Sequence, residues 1–248
     1  MVTAKGNKLI VALDVQTASE ALGLVSMLKG IAGMFKIGSQ LFTATGPDLV
    51  REIIESGERV FLDLKFHDIP NTVAAAGVEA TRLGVSIFNL HAAGGREMMR
   101  RTVASVAECA HSEGLARPLV IAVTVLTSAN ETTLAEVGHT DAPEDLVRRF
   151  ALLAESSGLD GVVASPLEVG IVRSTVKKSG FVVVTPGIRP QGSAHSDQKR
   201  VTTPYEAISG GADYIVVGRP IIEASDPARA AQQVIDEMEA AAANGVTI

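Results

Sequence analysis

Two carboxylates and a lysine stand at D-x-K-x-x-D spacing in RVFLDLKFHDIPNT, residues 59–72: Asp63, Lys65 and Asp68. Two apart on an extended strand, Asp63 and Lys65 project from the same face. Asp68 follows three residues later, as the chain leaves the strand. An isolated D-x-K ordinarily reads as surface charge, but Phe61, Leu62, Leu64 and Phe66 embed this pair in apolar sequence. Unpaired charge there would cost several kcal/mol, so both groups are expected to be paired and hydrogen-bonded. Lys36 ends another apolar run, in MFKIGSQLF, and is placed to complete a nearly neutral quartet of Lys36, Asp63, Lys65 and Asp68. Neighbouring carboxylates favour the ammonium form of each lysine. An ammonium fixed beside a ligand carbon can stabilise developing negative charge and then deliver a proton, the two acts that carbanion formation needs.

A second constellation suits an anion. TPGIRP places Arg189, and IVVGRPI places Gly218 and Arg219, just past the last two apolar runs. Glycine lets backbone N–H groups approach a phosphate closely, and arginine can grip one bidentately. Residues 186–203 are rich in Gly, Pro and polar side chains and carry no regular pattern. A segment of this length inside a compact domain suits a functional lid.

These residues need a frame. Short β-branched apolar runs recur at 9–14, 34–38, 59–65, 86–91, 119–126, 161–164, 181–185 and 214–218. Helix-like stretches separate them at 19–29, 47–56, 72–83, 96–112, 144–157 and 167–177, and a last one follows at 227–243. Runs apolar at nearly every position suit a parallel sheet covered on both faces. Gly57, Gly84, Gly114, Gly158 and Gly180 each follow a helix-like stretch, where a left-handed stop is wanted. Eight alternations without a linker predict a single (β/α)8 barrel, an α/β TIM barrel over residues 1–248. An open doubly wound sheet fits less well, because ALDVQTASE after the first run lacks a glycine-rich dinucleotide fingerprint. In a barrel, chemistry sits where strands end. Those ends carry Asp14, Lys36, Asp63 with Lys65, His91, Thr127, Arg189 and Arg219, whereas the other rim reads mostly as glycines and solvated charges.

Composition narrows the function. Apolar residues are 46% and charged residues 20% of 248, enough apolar residue for a large core. A net charge of −6 argues against a nucleic-acid binder but leaves room for one small anionic ligand. Cys109 is the single cysteine, which excludes an intrachain disulfide, suits a reducing compartment and reads as a packed thiol. No run approaches membrane-spanning length, and the apolar N-terminal run is cut off by Asp14, so a cytoplasmic protein is expected. His67, His111, His139 and His195 lack ligand spacing, so no metal site is expected, and Lys65 between Asp63 and Asp68 supplies the charge a metal would bring. His91, in NLHAAGG, reads equally as a packed residue, and Ser165 before Pro166 reads as a helix cap.

Taken in order, LIVALDV, FKIGSQLF, FLDLKFHDIPNT, AVTVLTS, VTPGIRP with SDQKR, and ADYIVVGRPI closely resemble bacterial orotidine 5′-phosphate decarboxylases along nearly the whole chain. The resemblance implies a cofactor-free homodimeric barrel that converts orotidine 5′-monophosphate to uridine 5′-monophosphate and carbon dioxide, the last step of de novo pyrimidine synthesis. It implies Lys65 as proton donor to C6, Asp63 beside the leaving carboxylate, and Lys36 with Asp14 at the ribose and in support of the charged network. It further implies Thr127 at the pyrimidine, and Arg189, Gln198, Gly218 and Arg219 at the phosphate under the 186–203 loop. Asp68 and Thr72 would reach into the partner's site. Two rivals stay open: a Mg²⁺-dependent sugar-phosphate decarboxylase or aldolase of the same barrel group, which shares D-x-K-x-x-D, and a non-catalytic phosphate-binding barrel.

Overall fold

Every β-branched run becomes a strand. The computed structural model describes residues 8–191 and 202–243. Its strands are β1 (Leu9–Ala12), β2 (Met34–Gly38), β3 (Val60–Phe66), β4 (Ile87–His91), β5 (Leu119–Val123), β6 (Gly161–Val163), β7 (Val182–Thr185) and β8 (Tyr214–Val217). Each pairs in parallel with the next, and β8 returns to β1 through Ile10↔Val216 and Val11↔Val217, so the barrel closes without a free edge.

Alternation along each strand decides what faces the lumen. Ile10, Met34, Phe61, Ile87, Ile121, Val184 and Val216 fill the inside as one buried cluster, while Val11, Phe35, Leu62, Phe88 and Val183 face the helices in another. Continuing the inward parity past the packed layers reaches Lys36, Asp63, Asn89 and His91. The polar residues therefore collect at the carboxyl end of a filled barrel, not in a pore.

Helices fill the outer layer: α1 (Ala18–Leu28), α2 (Ser39–Thr45), α3 (Pro47–Glu55), α4 (Pro70–Arg82), α5 (Gly95–Ser112), α6 (Glu131–Glu136), α7 (Pro143–Ser156), α8 (Val169–Thr175), α9 (Pro204–Ser209), α10 (Arg219–Ile222) and α11 (Pro227–Ala243). Proline opens α3, α4, α7 and α9, where its missing N–H costs nothing and its fixed φ already suits a helix. Reciprocal capping boxes start α1 (Thr17 with Glu20) and α9 (Thr203 with Glu206). All five helix-stop glycines have positive φ. The helix expected at 167–177 divides into a 3-10 turn, Pro166–Glu168, and α8. The sequence reading missed α2, α6, α9 and α10, each seven residues or fewer and too short to show a period. No helix among the described residues is long and apolar enough to cross a membrane.

The far rim is more than glycines and solvated charges. Asp160, just before β6, accepts the Val120 N–H at 2.8 Å and pairs with Arg117 at 2.8 Å. Asp213, just before β8, accepts the Val183 N–H at 2.7 Å and pairs with Arg173. In both cases an acid ahead of an even-numbered strand satisfies the second residue of the strand before it. These contacts knit the barrel at the end away from the chemistry. Asp160→Ala should lower unfolding free energy by about 1–3 kcal/mol by orphaning a buried N–H, with little effect on turnover. Urea denaturation reads this directly, and an unchanged midpoint would contradict it.

Candidate active site

The strand that carries Asp63 and Lys65 is not regular. Leu62 pairs with Phe88 but Phe66 pairs with Leu90, so β3 spends two more residues than β4 between these points. Within this bulge Lys65 adopts φ +52°, the single positive φ at a non-glycine among the described residues. A left-handed lysine costs about 1–2 kcal/mol in backbone strain. Asp63 and Lys65 do share a face, but the bulge aims them together, where a simple period of two was expected.

What compensates the strain is a set of hydrogen bonds. Lys65 Nζ donates to Asp63 Oδ1 at 2.6 Å, and the Lys65 backbone N–H donates to Asn89 Oδ1 at 2.8 Å. Asn89 Nδ2 in turn donates to the same Asp63 Oδ1 at 2.7 Å. On the other side, Lys36 Nζ lies 3.4 Å from Asp63 Oδ2 and 3.1 Å from Asp14 Oδ1. The charges thus run Asp14, Lys36, Asp63, Lys65 in alternating sign across the ends of three adjacent strands. Lys36 and Asp63 are buried, and the Lys65 side chain is about one-third exposed (35%).

The quartet expected from the sequence needs one correction. Asp68 is exposed, its Oδ1 accepts the Ile69 N–H at 2.6 Å, and Asp14 holds the fourth place in the chain's own row. The reason is local: after Phe66 the chain turns out of the barrel, so Asp68 and Thr72 end on the outer surface. Asn89 was missed altogether. The available signal was a lone amide inside IFNLH, a run otherwise apolar up to its final histidine.

One cavity of about 280 Å³ opens over this row. Asp14, Lys36, Asp63 and Lys65 border it on one side, and Phe61, Val123, Val163 and Val216 supply apolar surface. Thr127 lines it as well, and the loops after β7 and β8 bring Arg189, Gly218 and Arg219. Eight of the expected residues therefore meet at one cavity, while Gln198 and most of the 186–203 loop lie outside the described residues. Glycine leaves room for the charged side chains at two borders of the row. A Cβ on Gly38 would sit 3.2 Å from Lys36 Nζ, and one on Gly218 would sit 3.2 Å from Asp14 Oδ2. Among the described residues no group of three or more His, Cys, Asp or Glu could hold a metal ion. Cys109 is buried in α5, and burial pushes its thiol above the ordinary range.

His91 closes β4 with its ring 5.4 Å from that of His67. Burial, then the neighbouring His67 and Lys65, hold it below its ordinary value of 6.5, against an opposing pull from Asp63. The fold therefore favours neutral imidazole. That contribution is present above the unfolded value and is lost as pH falls through the folded one. In an NMR titration His91 should titrate below pH 6.5. A midpoint above that value would show that Asp63 dominates.

Comparison with known proteins agrees with this geometry. Residues 7–234 match the model of the "Orotidine 5'-phosphate decarboxylase / HUMPS family". A protein of Syntrophotalea carbinolica named orotidine 5′-phosphate decarboxylase is 51% identical over 245 residues, 99% of this chain and 100% of the relative. One of Geobacter sulfurreducens with the same name is 52% identical over 233 residues, 94% of this chain and 96% of the relative. The crystal structure of orotidine 5′-phosphate decarboxylase from Lactobacillus acidophilus superposes with a TM-score of 0.82 at 34% identity, covering 93% of this chain and 98% of that one. With the family model and these relatives in agreement, the chain belongs to the orotidine 5′-phosphate decarboxylase / HUMPS family.

Proposed function

We propose that this protein decarboxylates orotidine 5′-monophosphate to uridine 5′-monophosphate, the last step of de novo pyrimidine synthesis, without a cofactor. The observation that carries the reading is the Lys65 ammonium, held against Asp63 at the mouth of a cavity that Arg189 and Arg219 also line. Loss of carbon dioxide leaves an electron pair on C6 in an sp² orbital outside the ring's π system. The ring cannot delocalise that pair, so a barrier reduction of about 20 kcal/mol is asked of the site. A fixed ammonium stabilises the charge as it forms, then transfers a proton to C6 and is restored from solvent. Asp63 lies beside the departing carboxylate, Lys36 and Asp14 meet the ribose, and Thr127 meets the pyrimidine. Arg189, Gln198 and Arg219, with the Gly218 backbone, hold the phosphate, whose binding energy helps close the loop over the site.

The sugar-phosphate reading asks the acids to bind Mg²⁺. Here both oxygens of Asp63 already face ammonium groups, so the charged row has little net charge to offer a dication. Full turnover in excess EDTA would separate the two readings.

A homodimer with shared sites completes the proposal. Beside the row lies a second cavity of about 270 Å³, bordered by Asp14, Gly38, Ser39 and Gln40. Asp68, Ile69 and Thr72 stand exposed on the loop and helix after β3, with Ile69 at 66%. An exposed acid and hydrophobe on one loop, with an open cavity beside the charged row, fit insertion of Asp68 from a second copy. The single cysteine, Cys109, suits a cytoplasmic setting.

Three outcomes are expected. The protein turns over orotidine 5′-monophosphate with no added metal, and Lys65→Ala abolishes nearly all activity; an unchanged rate in that variant would remove the mechanism. Arg219→Ala chiefly weakens substrate affinity, and normal affinity would refute its phosphate role. Mixing Asp68→Ala with Lys65→Ala subunits restores part of the activity, whereas confirmed but inactive heterodimers would count against shared sites.

A further inference from the structure

Asn89 lies in the middle of β4 with no exposed surface, on the same inward parity as Ile87 and His91. It does not line the cavity, and the reaction as described gives it no contact with substrate. Yet its amide is fully committed to the two residues on which that reaction depends. Oδ1 accepts the Lys65 backbone N–H, and Nδ2 donates to Asp63 Oδ1. The orientation of the amide follows from its partners. A backbone N–H only donates and a carboxylate only accepts, so the reversed amide would lose both bonds.

The place of these bonds matters as much as their number. They span the stretch where β3 carries two surplus residues, and they meet Lys65 where its φ is +52°. The ladder between β3 and β4 is interrupted there, and the Asn89 side chain stands in for it. Without the amide, the Lys65 N–H would be left unmet in a half-buried place and Asp63 would lose one of the two donors on Oδ1. The Lys65 backbone could then relax out of the left-handed region and carry the ammonium with it.

We propose that Asn89 is a positioning residue for the decarboxylation: its amide clamps the β3 bulge, fixing the Asp63 carboxylate and the Lys65 backbone in one geometry. This rests on the decarboxylase reading. It adds a requirement on β4 that acts only through Asp63 and Lys65.

The test uses the full chain. Asn89→Ala and Asn89→Ser remove the clamp while leaving the anion-holding loops after β7 and β8 untouched. In the folded variants kcat should fall on the order of 10²-fold, with KM changed by less than about threefold. Asn89→Asp supplies an independent readout. It keeps the acceptor for the Lys65 N–H but sets a carboxylate against Asp63 at neutral pH. Once the new carboxyl is protonated, its O–H replaces the amide donor. Its kcat relative to wild type should therefore rise as pH falls from about 8 to about 5. The groups facing this carboxyl are Asp63 and Lys65 of β3, Lys36 behind them on β2, and His67 and His91 at the rim. From β5 its register partner is Ile121. Wild type measured in parallel carries the titration of all of those, so the ratio isolates the new group.

Wild-type kcat in the folded alanine or serine variant would overturn the proposal. So would a rise in KM at constant kcat, or a pH-independent ratio for Asn89→Asp, which decides alone if the smaller side chains prevent folding. Wild-type turnover is measured first: an inactive wild type sinks both readings, whereas an active wild type with insensitive Asn89 variants sinks only this one.

Discussion

Everything at the mouth of this barrel depends on the Asp63 carboxylate. It is buried, and it is the one group that touches both lysines and the β4 amide. A buried carboxylate is tolerable only when its lone pairs are met, and here each donor is itself a functional or positioning group. Removing any member leaves the others with uncompensated charge in a half-dry place. The row therefore behaves as one unit, and single substitutions in it should not add.

The barrel divides two tasks between its ends. At the carboxyl rim, acids and bases are aimed at a cavity and tolerate a strained backbone. At the amino rim, Asp160 and Asp213 satisfy strand N–H groups and anchor Arg117 and Arg173. Between the rims, packed layers of Ile, Val, Met and Phe keep the two ends at fixed separation. The same alternation along each strand produces both the filled lumen and the polar crown.

Much of this was legible in the sequence, for identifiable reasons. The eight strands announce themselves because both faces are buried, which makes each run apolar at nearly every position. The long helices show their period, and their glycine stops and proline starts mark the ends. Asp63, Lys65 and Lys36 stood out because charge inside apolar sequence demands a partner. Sequence spacing did not reveal which partner. Within one chain Asp14 completes the row, because the end of β1 lies beside β2 in the barrel, while Asp68, just past β3, turns outward. Asn89 escaped for a related reason: a lone amide in an apolar strand says nothing of its partners until the bulge opposite it is known. The four missed helices contain fewer than two turns each, and three of them begin at proline- or glycine-marked positions that read equally as loop.

The left-handed backbone at position 65 carries one more implication. Glycine adopts that conformation without penalty, so for the backbone alone it would suit the site better than lysine does. Selection for stability and selection for turnover therefore pull this position in opposite directions, and the neighbouring amide and carboxylate are what let the lysine survive there. Glycine there would relieve the backbone but take an ammonium from buried Asp63, so a lineage of this barrel released from its chemistry would be expected to lose the lysine and the carboxylate together.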